Sequence, residues 1–308
     1  MDPLQHNILS CLAYFDIFDY PLKKEEIQNF LGQKTTSKEL AGALALLVQE
    51  GWIKYRDNFY FLGEDASLIA RRQKGNERAI SQLAIAGKSG AFLSGFPYVR
   101  AIGISGSLSK NFADEKSDID FFIITAKNRL WLARTCMHIF RKFTFLAGKH
   151  NWFCMNYYVD EDALEIKEKN NFTAMELITV LPVRGKKYFD SFFRANEWAK
   201  HFFPMYESQQ FEIREAKNNL LKKLVEKVFN NRLGDKLDNW LMKKTHERWQ
   251  KKTNRKQRNS QGTLLGMDVN KHYAKPSPDH LQSQILRLHQ KKMKELTEKF
   301  EMHLSRVI

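Results

Sequence analysis

Apolar residues recur at three- and four-residue spacing over residues 4–15, 23–31 and 37–49, which predicts three short helices, the second opening after Pro21 and the third with Ser37 as its N-cap. Gly51 ends the third. Residues 52–62, WIKYRDNFYFL, then read as a β-hairpin turning at Asp57-Asn58. The helical period resumes over 66–93, weakened by Gly75 and Gly87, and stops at Gly95-Phe96-Pro97. From there strands and helices alternate: a strand at 98–104, a second ending near Thr125, a helix at 128–146, and a strand at 152–159. The helix carries Trp131, Leu132, Cys136, Ile139, Phe140 and Phe143 on one face, with Gly148 past its end. Residues 172–181 predict a short amphipathic helix closed by Pro182, and the Phe- and Trp-rich stretch 188–203 an apolar face packed on the core. The remainder is helical at 216–229, 233–250 and 281–304, with the last helix expected to fold back on the one before it as an antiparallel pair. Between them, 260–279 carries Gly262, Gly266, Pro276 and Pro278 and is expected to be a loop.

This alternation gives the fold class: α+β, a mixed sheet with helices. Hydrophobic residues make up 43% of the 308, enough for packed cores. Cys11, Cys136 and Cys154 lie far apart with no CxxC spacing, so reduced thiols in a cytoplasmic setting are expected. The sequence has no signal-peptide pattern and no apolar run of membrane-spanning length, so a soluble protein with no membrane partner is expected. His272, His280 and His289 have no metal-ligand spacing and are read as surface residues.

Charge changes the picture of the last third. The net charge is +15, and residues 211–308 carry 23 Lys and Arg against 11 Asp and Glu. KKTNRKQR at 251–258 has five basic residues and no acidic one, making it the leading contact for RNA or another polyanion; the alternative is a solvated Lys-rich helix face. Nothing in the pattern sets an oligomeric state.

The candidate chemistry lies in IGISGSLSKNFADEKSDIDFFIIT at 102–125. Asp118 and Asp120 are one residue apart, so on a strand both project from one face while Ile119 points into a core. Two adjacent carboxylates repel unless a cation lies between them, and hard divalent ions take such oxygen ligands while leaving room for phosphate oxygens. Upstream, Gly106-Ser107 allows close backbone approach where free N–H groups and a hydroxyl can hold a phosphate.

These residues resemble the signature of the DNA polymerase β-like nucleotidyltransferase superfamily: Ile104 and Ser105 leading into Gly106-Ser107, then Asp118-Ile119-Asp120-Phe121. The resemblance implies a metal-dependent transfer of a nucleoside monophosphate from an NTP to an acceptor hydroxyl on an RNA end such as tRNA, a small molecule or a protein. It implies Mg²⁺, or Mn²⁺ in its place, on Asp118 and Asp120, and nucleotide phosphates on Gly106, Ser107 and Lys110. Arg184, Lys186 and Lys187 form a basic turn that either covers a triphosphate or is an exposed loop. The organisation expected is a small module at 1–63, a linking helix at 64–94, a catalytic domain at 95–205 and a basic helical domain at 206–308.

The sequence departs from the family pattern at the next strand, where a third carboxylate is expected and Asn156 stands. An amide ligates through its carbonyl oxygen but accepts no proton near neutral pH. Three accounts stay open: Asp160, Glu161, Asp162 or Glu176 fills the role; solvent or a metal-bound hydroxide takes the proton; or the site binds nucleotide without transfer.

The first module, three helices and a hairpin, resembles a winged helix-turn-helix. Its third helix, KELAGALALLVQE, offers few groups able to read bases. A packing or docking role is expected ahead of DNA reading, and a non-catalytic nucleic-acid binder that keeps a nucleotide pocket is the alternative for the whole chain.

Overall fold

The computed structural model describes residues 2–115, 117–146, 152–207, 213–258, 266–276 and 278–307. Helices α1 (Pro3–Asp16), α2 (Lys24–Asn29) and α3 (Ser37–Gln49) pack around Ile8, Leu12, Phe15, Ile27, Leu40 and Leu44. The N-cap of α3 is Thr36 rather than Ser37. Thr36 Oγ1 accepts the Glu39 N–H and the Glu39 carboxylate accepts the Thr36 N–H, a capping box that places Ser37 inside the first turn. Strands β1 (Lys54–Arg56) and β2 (Phe59–Phe61) form the expected hairpin, with Asp57 and Asn58 at φ 51° and 66° as a type I′ turn requires.

Helix α4 (Ser67–Leu93) runs unbroken past both glycines. Gly75 is there for close packing, since a Cβ at that position would lie 2.2 Å from the Phe112 ring.

Strands β3 (Val99–Ser105), β4 (Asp120–Thr125), β5 (Cys154–Asp160), β6 (Leu181–Arg184), β7 (Met267–Val269) and β8 (Tyr273–Pro276) form a six-stranded mixed sheet in the order β6-β3-β4-β5-β8-β7. Strands β4 and β5 are parallel and the other neighbours antiparallel. A parallel pair needs a crossover, which α6 (Leu130–Leu146) supplies between them. One sheet face packs Ile102, Phe121, Ile123, Met155 and Tyr158 with Trp131 and Met137 of α6. The other packs Phe122, Ile124 and Val159 with Phe189 and Phe192 of α8 (Lys186–Ala195), the buried aromatic face the sequence predicts.

Four expectations are corrected. Helix α7 (Asn171–Ile178) ends early, and the following LPVR becomes β6 on the sheet edge, where Pro182 lacks only a donor that an edge strand does not need. The loop expected over 260–279 contains the hairpin β7–β8, which adds to the free edge of β5; residues 259–265 and 277 lie outside the described residues. After α9 (Leu220–Phe229) and α10 (Arg232–Asn254), helix α11 (Pro278–Val307) packs on α1 and α7 instead of pairing with α10. Ile285 of α11 is buried there, His289 Nε2 lies 3.0 Å from the Ser10 carbonyl, and Trp52 meets Phe300 at 5.3 Å between ring centroids. His272 and His289 are therefore joints between elements rather than surface residues, His272 Nδ1 lying 2.8 Å from the buried Asp160 carboxylate; the His280 side chain is outside the described residues. Among the described residues, no helix is long and apolar enough to cross a membrane.

Candidate active site

Ser105 ends β3 directly opposite Asp120, the first residue of β4. The chain leaves β3 through Gly106, whose φ of +71° turns it into the short helix α5 (Gly106–Ser109). A Cβ on Gly106 would sit 2.8 Å from Asp120 Oδ2, so only glycine fits in both backbone conformation and space. Tertiary structure thus brings the Gly-Ser turn and the second carboxylate into contact across the β3–β4 ladder. Ser107 is exposed on the same turn.

Asp118 lies in the irregular segment that enters β4, so only Asp120 belongs to the strand proper. Ile119 between them is 2% exposed, and its carbonyl accepts the Cys154 N–H at 3.2 Å. The two carboxylates are electrically coupled. Burial pushes Asp120 up to about 6; a hydrogen bond with Cys154 opposes the rise, the charges of Asp118 and Glu176 add to it, and Arg141 counters it.

The residue opposite Asp120 on β5 is Cys154, not Asn156. Phe121 pairs with Met155 and Phe122 with Tyr157, so Asn156 is the extra residue of a bulge with no partner in β4. Composition and spacing along residues 152–159 carry no signal of this bulge. Burial and the Asp120 charge raise the Cys154 thiol, which keeps it protonated and able to donate.

Of the four carboxylates weighed as a third acidic group, Glu176 is the one near Asp120. Asp160 pairs with Thr125 at the far end of the sheet, five residues along β4, roughly 17 Å at strand rise. It is fully buried, accepting the backbone N–H groups of Asn128 and Asp162. Glu161 and Asp162 are at that end too, on Lys127. Glu176, from α7, forms an ion pair with Lys110 Nζ at 2.8 Å, and the same ammonium donates to the Gly106 carbonyl at 3.2 Å. Lys110 thereby ties the Gly-Ser turn to α7. Arg184 pairs with Ile102 partway down β3, and Lys186 pairs with Asp190 on the exposed face of α8.

The loop between Ser109 and Asp118 is held by the N-terminal helices and α4. Tyr20 Oη donates to the Lys110 carbonyl at 2.6 Å, Asn76 to the Asn111 carbonyl at 2.8 Å, and Arg71 pairs with Asp114 at 2.8 Å. Phe112 fills the notch at Gly75. No sequence signal in either segment announced this clamp.

Among the described residues, no group of three or more His, Cys, Asp and Glu is placed to hold a metal ion. The donor set at β4 is a pair of carboxylates beside an open Gly-Ser turn. Such a set fits a hard ion that keeps water and phosphate oxygens in its other positions, and does not fit an all-protein cage.

Residues 89–253 match the family model of the nucleotidyltransferase domain, a span that contains the Gly-Ser turn, both aspartates, β5 and most of α10. No curated protein and no solved structure matches the chain.

Proposed function

The chain belongs to the nucleotidyltransferase domain family, and on that premise we propose that it transfers a nucleoside monophosphate from an NTP to an acceptor hydroxyl, using Asp118 and Asp120 to hold Mg²⁺. The observation that carries this reading is the state of Asp120: its carboxyl is pushed up to about 6 chiefly by burial, with Asp118 and Glu176 adding like charge, in contact with the Gly-Ser turn. Such a site favours a bound divalent cation, whose charge offsets the repulsion.

In this reading Gly106 and Ser107 receive the β- and γ-phosphates through backbone N–H and hydroxyl. Lys110 acts one step back, keeping the turn seated through Gly106 and Glu176. Cys154 orients Asp120 by donating to it. Mg²⁺ in this setting supplies charge neutralisation on the phosphates and a lowered acceptor pKa. Glu176 is the protein group placed to take the acceptor proton once Lys110 shifts toward phosphate. The basic run Lys251 to Arg258, which spans the end of α10 and the residues after it, supports an RNA acceptor.

The test is pyrophosphate release from labelled NTPs with Mg²⁺ and cell RNA or a small-molecule extract as acceptor. Asp118→Ala is expected to abolish it; release undiminished in that variant sinks the site assignment. A second reading, a nucleic-acid binder without transfer, is favoured by β5, which holds Asn156 where a third carboxylate is expected and sets Cys154 opposite Asp120. It predicts RNA or DNA affinity that falls steeply with salt and no NTP turnover with any acceptor.

A further inference from the structure

Helix α6 carries Arg134, His138 and Arg141 at i, i+4 and i+7, which places them on one face. That face looks across the seam to α10 and down onto Tyr158 of β5. The Arg134 guanidinium lies 5.9 Å from the Tyr158 ring centroid, and the His138 ring 6.4 Å from it. Arg134 is only 7% exposed, yet its Nε has no hydrogen-bond partner. The same holds for His138 Nε2 and Arg141 Nε, both buried polar atoms without a partner.

The charged side chains acting on His138 are all cationic, while Arg141 also acts on the Asp120 carboxylate. His138 is surrounded by Arg134, Arg141, Arg248 of α10 and Lys142; burial first and then these cations hold it down to about 2. Arg134 is likewise disfavoured in its charged form by burial and by Arg248 and Arg141. Among the described residues none of the three arginines forms an ion pair. Buried charges are ordinarily paired, and a cluster of like cations with idle N–H groups is the arrangement that an anion completes.

We infer that Arg134, His138, Arg141 and Arg248 form a binding site for a phosphate group carried by the acceptor substrate. The assignment to the acceptor rests on the transferase reading and on position. Across the sheet the Gly-Ser turn stands on β3, Asp120 heads β4, and the cation cluster lies over β5 on the face that carries Tyr158, opposite to the face that Asp120 shares with Phe122, so the two meet at the starting ends of β4 and β5. Arg141 reaches far enough to act on both Asp120 and Cys154. In-line displacement puts the attacking hydroxyl opposite the departing pyrophosphate. A nucleotide seated on the turn directs its leaving group toward β3, so the β5 side is where the acceptor enters, and its phosphate reaches the α6–α10 seam around the starting end of β5, past Arg141. The guanidinium groups match a phosphate's oxygens, and the neutral imidazole adds a donor.

The test uses the full chain and inorganic phosphate, titrated by calorimetry and thermal shift at constant ionic strength against chloride. Saturable binding is expected for the wild type, weakened at least tenfold in R141Q/R248Q, whose positions are half-buried and exposed and so spare the core. MgATP affinity should change less than twofold in R248Q alone, which leaves Arg141 acting on Asp120, and D118N should show the reverse pattern. Displacement of phosphate by a short oligoribonucleotide identifies a polymeric acceptor and displacement by ribose 5-phosphate a small one; either supports the site, and displacement by neither overturns it. Equal phosphate affinity in wild type and R141Q/R248Q overturns the site as well. Parallel loss of phosphate and MgATP, with the two competing, assigns the cluster to the nucleotide and overturns the acceptor assignment. Absence of NTP turnover would end the transferase reading without altering the phosphate titration.

Discussion

Cys154 stands opposite Asp120 across the parallel β4–β5 ladder, and its thiol hydrogen-bonds to that carboxylate. The group beside the candidate metal ligand is therefore a protonated donor that steadies Asp120 in its charged form. Cys154→Ala removes this hydrogen bond and is expected to move Asp120 above its value of about 6. The acid limb of the pH–activity profile should shift to higher pH, while Cys154→Ser, which keeps a donor, should stay near the wild type. An unmoved acid limb in the alanine variant would show that the thiol has no influence on the carboxylate.

The raised Asp120 also predicts how stability depends on pH without metal. Below the ordinary carboxylate range Asp120 is protonated in both folded and unfolded chains, and no penalty applies. As pH rises from 3.8 through about 6, the unfolded chain gives up this proton before the folded one, so stability falls over that window and stays lowered above it. The penalty is about 3 kcal/mol at neutral pH for a shift of this size. In EDTA, Asp120→Asn should therefore be more stable than wild type at pH 7.5 and lose that advantage at pH 4, as urea unfolding would show. Added Mg²⁺ should stabilise the wild type and leave the variant unmoved.

Glu176 acts on the same carboxylate through space and on Lys110 through an ion pair at 2.8 Å. Glu176→Gln withdraws a negative charge from Asp120 and frees the ammonium. Asp120 should titrate lower, NTP should bind more tightly through Lys110, and turnover should fall if Glu176 takes the acceptor proton. Separate measurement of KM and kcat checks this, since a purely structural role for Glu176 would not move the two in opposite senses.

Gly106→Ala places a methyl group 2.8 Å from Asp120 Oδ2 on a residue with φ +71°. The strain alone is expected to cost about 1–2 kcal/mol of stability. Nucleotide affinity should drop at least tenfold, because the turn and Asp120 must separate to admit the methyl. Wild-type affinity in a folded G106A chain, measured by NTP titration, would remove the turn from the site.

The clamp on the loop also has a measurable weight. Arg72 is 2% exposed, pairs with Glu26, and lies 3.9 Å over the Tyr20 ring, whose hydroxyl holds the Lys110 carbonyl. Glu26→Ala leaves this arginine buried and uncompensated, an expected loss of roughly 3–5 kcal/mol. Tyr20→Phe removes one hydrogen bond, about 1 kcal/mol, and should raise KM for NTP if the clamp positions the turn. Equilibrium unfolding and NTP kinetics on the two variants separate stability from positioning.

Much of this molecule was legible along the chain. The three N-terminal helices, the hairpin at Asp57-Asn58, the helix through 67–93, and the pairing of a Gly-Ser turn with Asp118 and Asp120 follow from local pattern, because helix period, turn chemistry and short-range spacing are properties of contiguous residues. Where one element met another far along the chain, local pattern gave no purchase. Local pattern predicts a helix end at β6, a loop at β7 and β8, and a pairing of α11 with α10, since an edge strand or a docking helix is chosen by the surface it finds.

The site divides along the same line. Sequence by itself singled out the candidate residues, two aspartates one residue apart and the glycine that precedes them. Tertiary structure alone decided that a bulge carries Asn156 out of register and sets Cys154 beside Asp120, that Glu176 and not Asp160 stands near, and that three arginines and a histidine gather with no ion pair among the described residues. The physical reason is that a bulge shifts register without changing composition, and that charge and burial arise only when distant segments share one low-dielectric space.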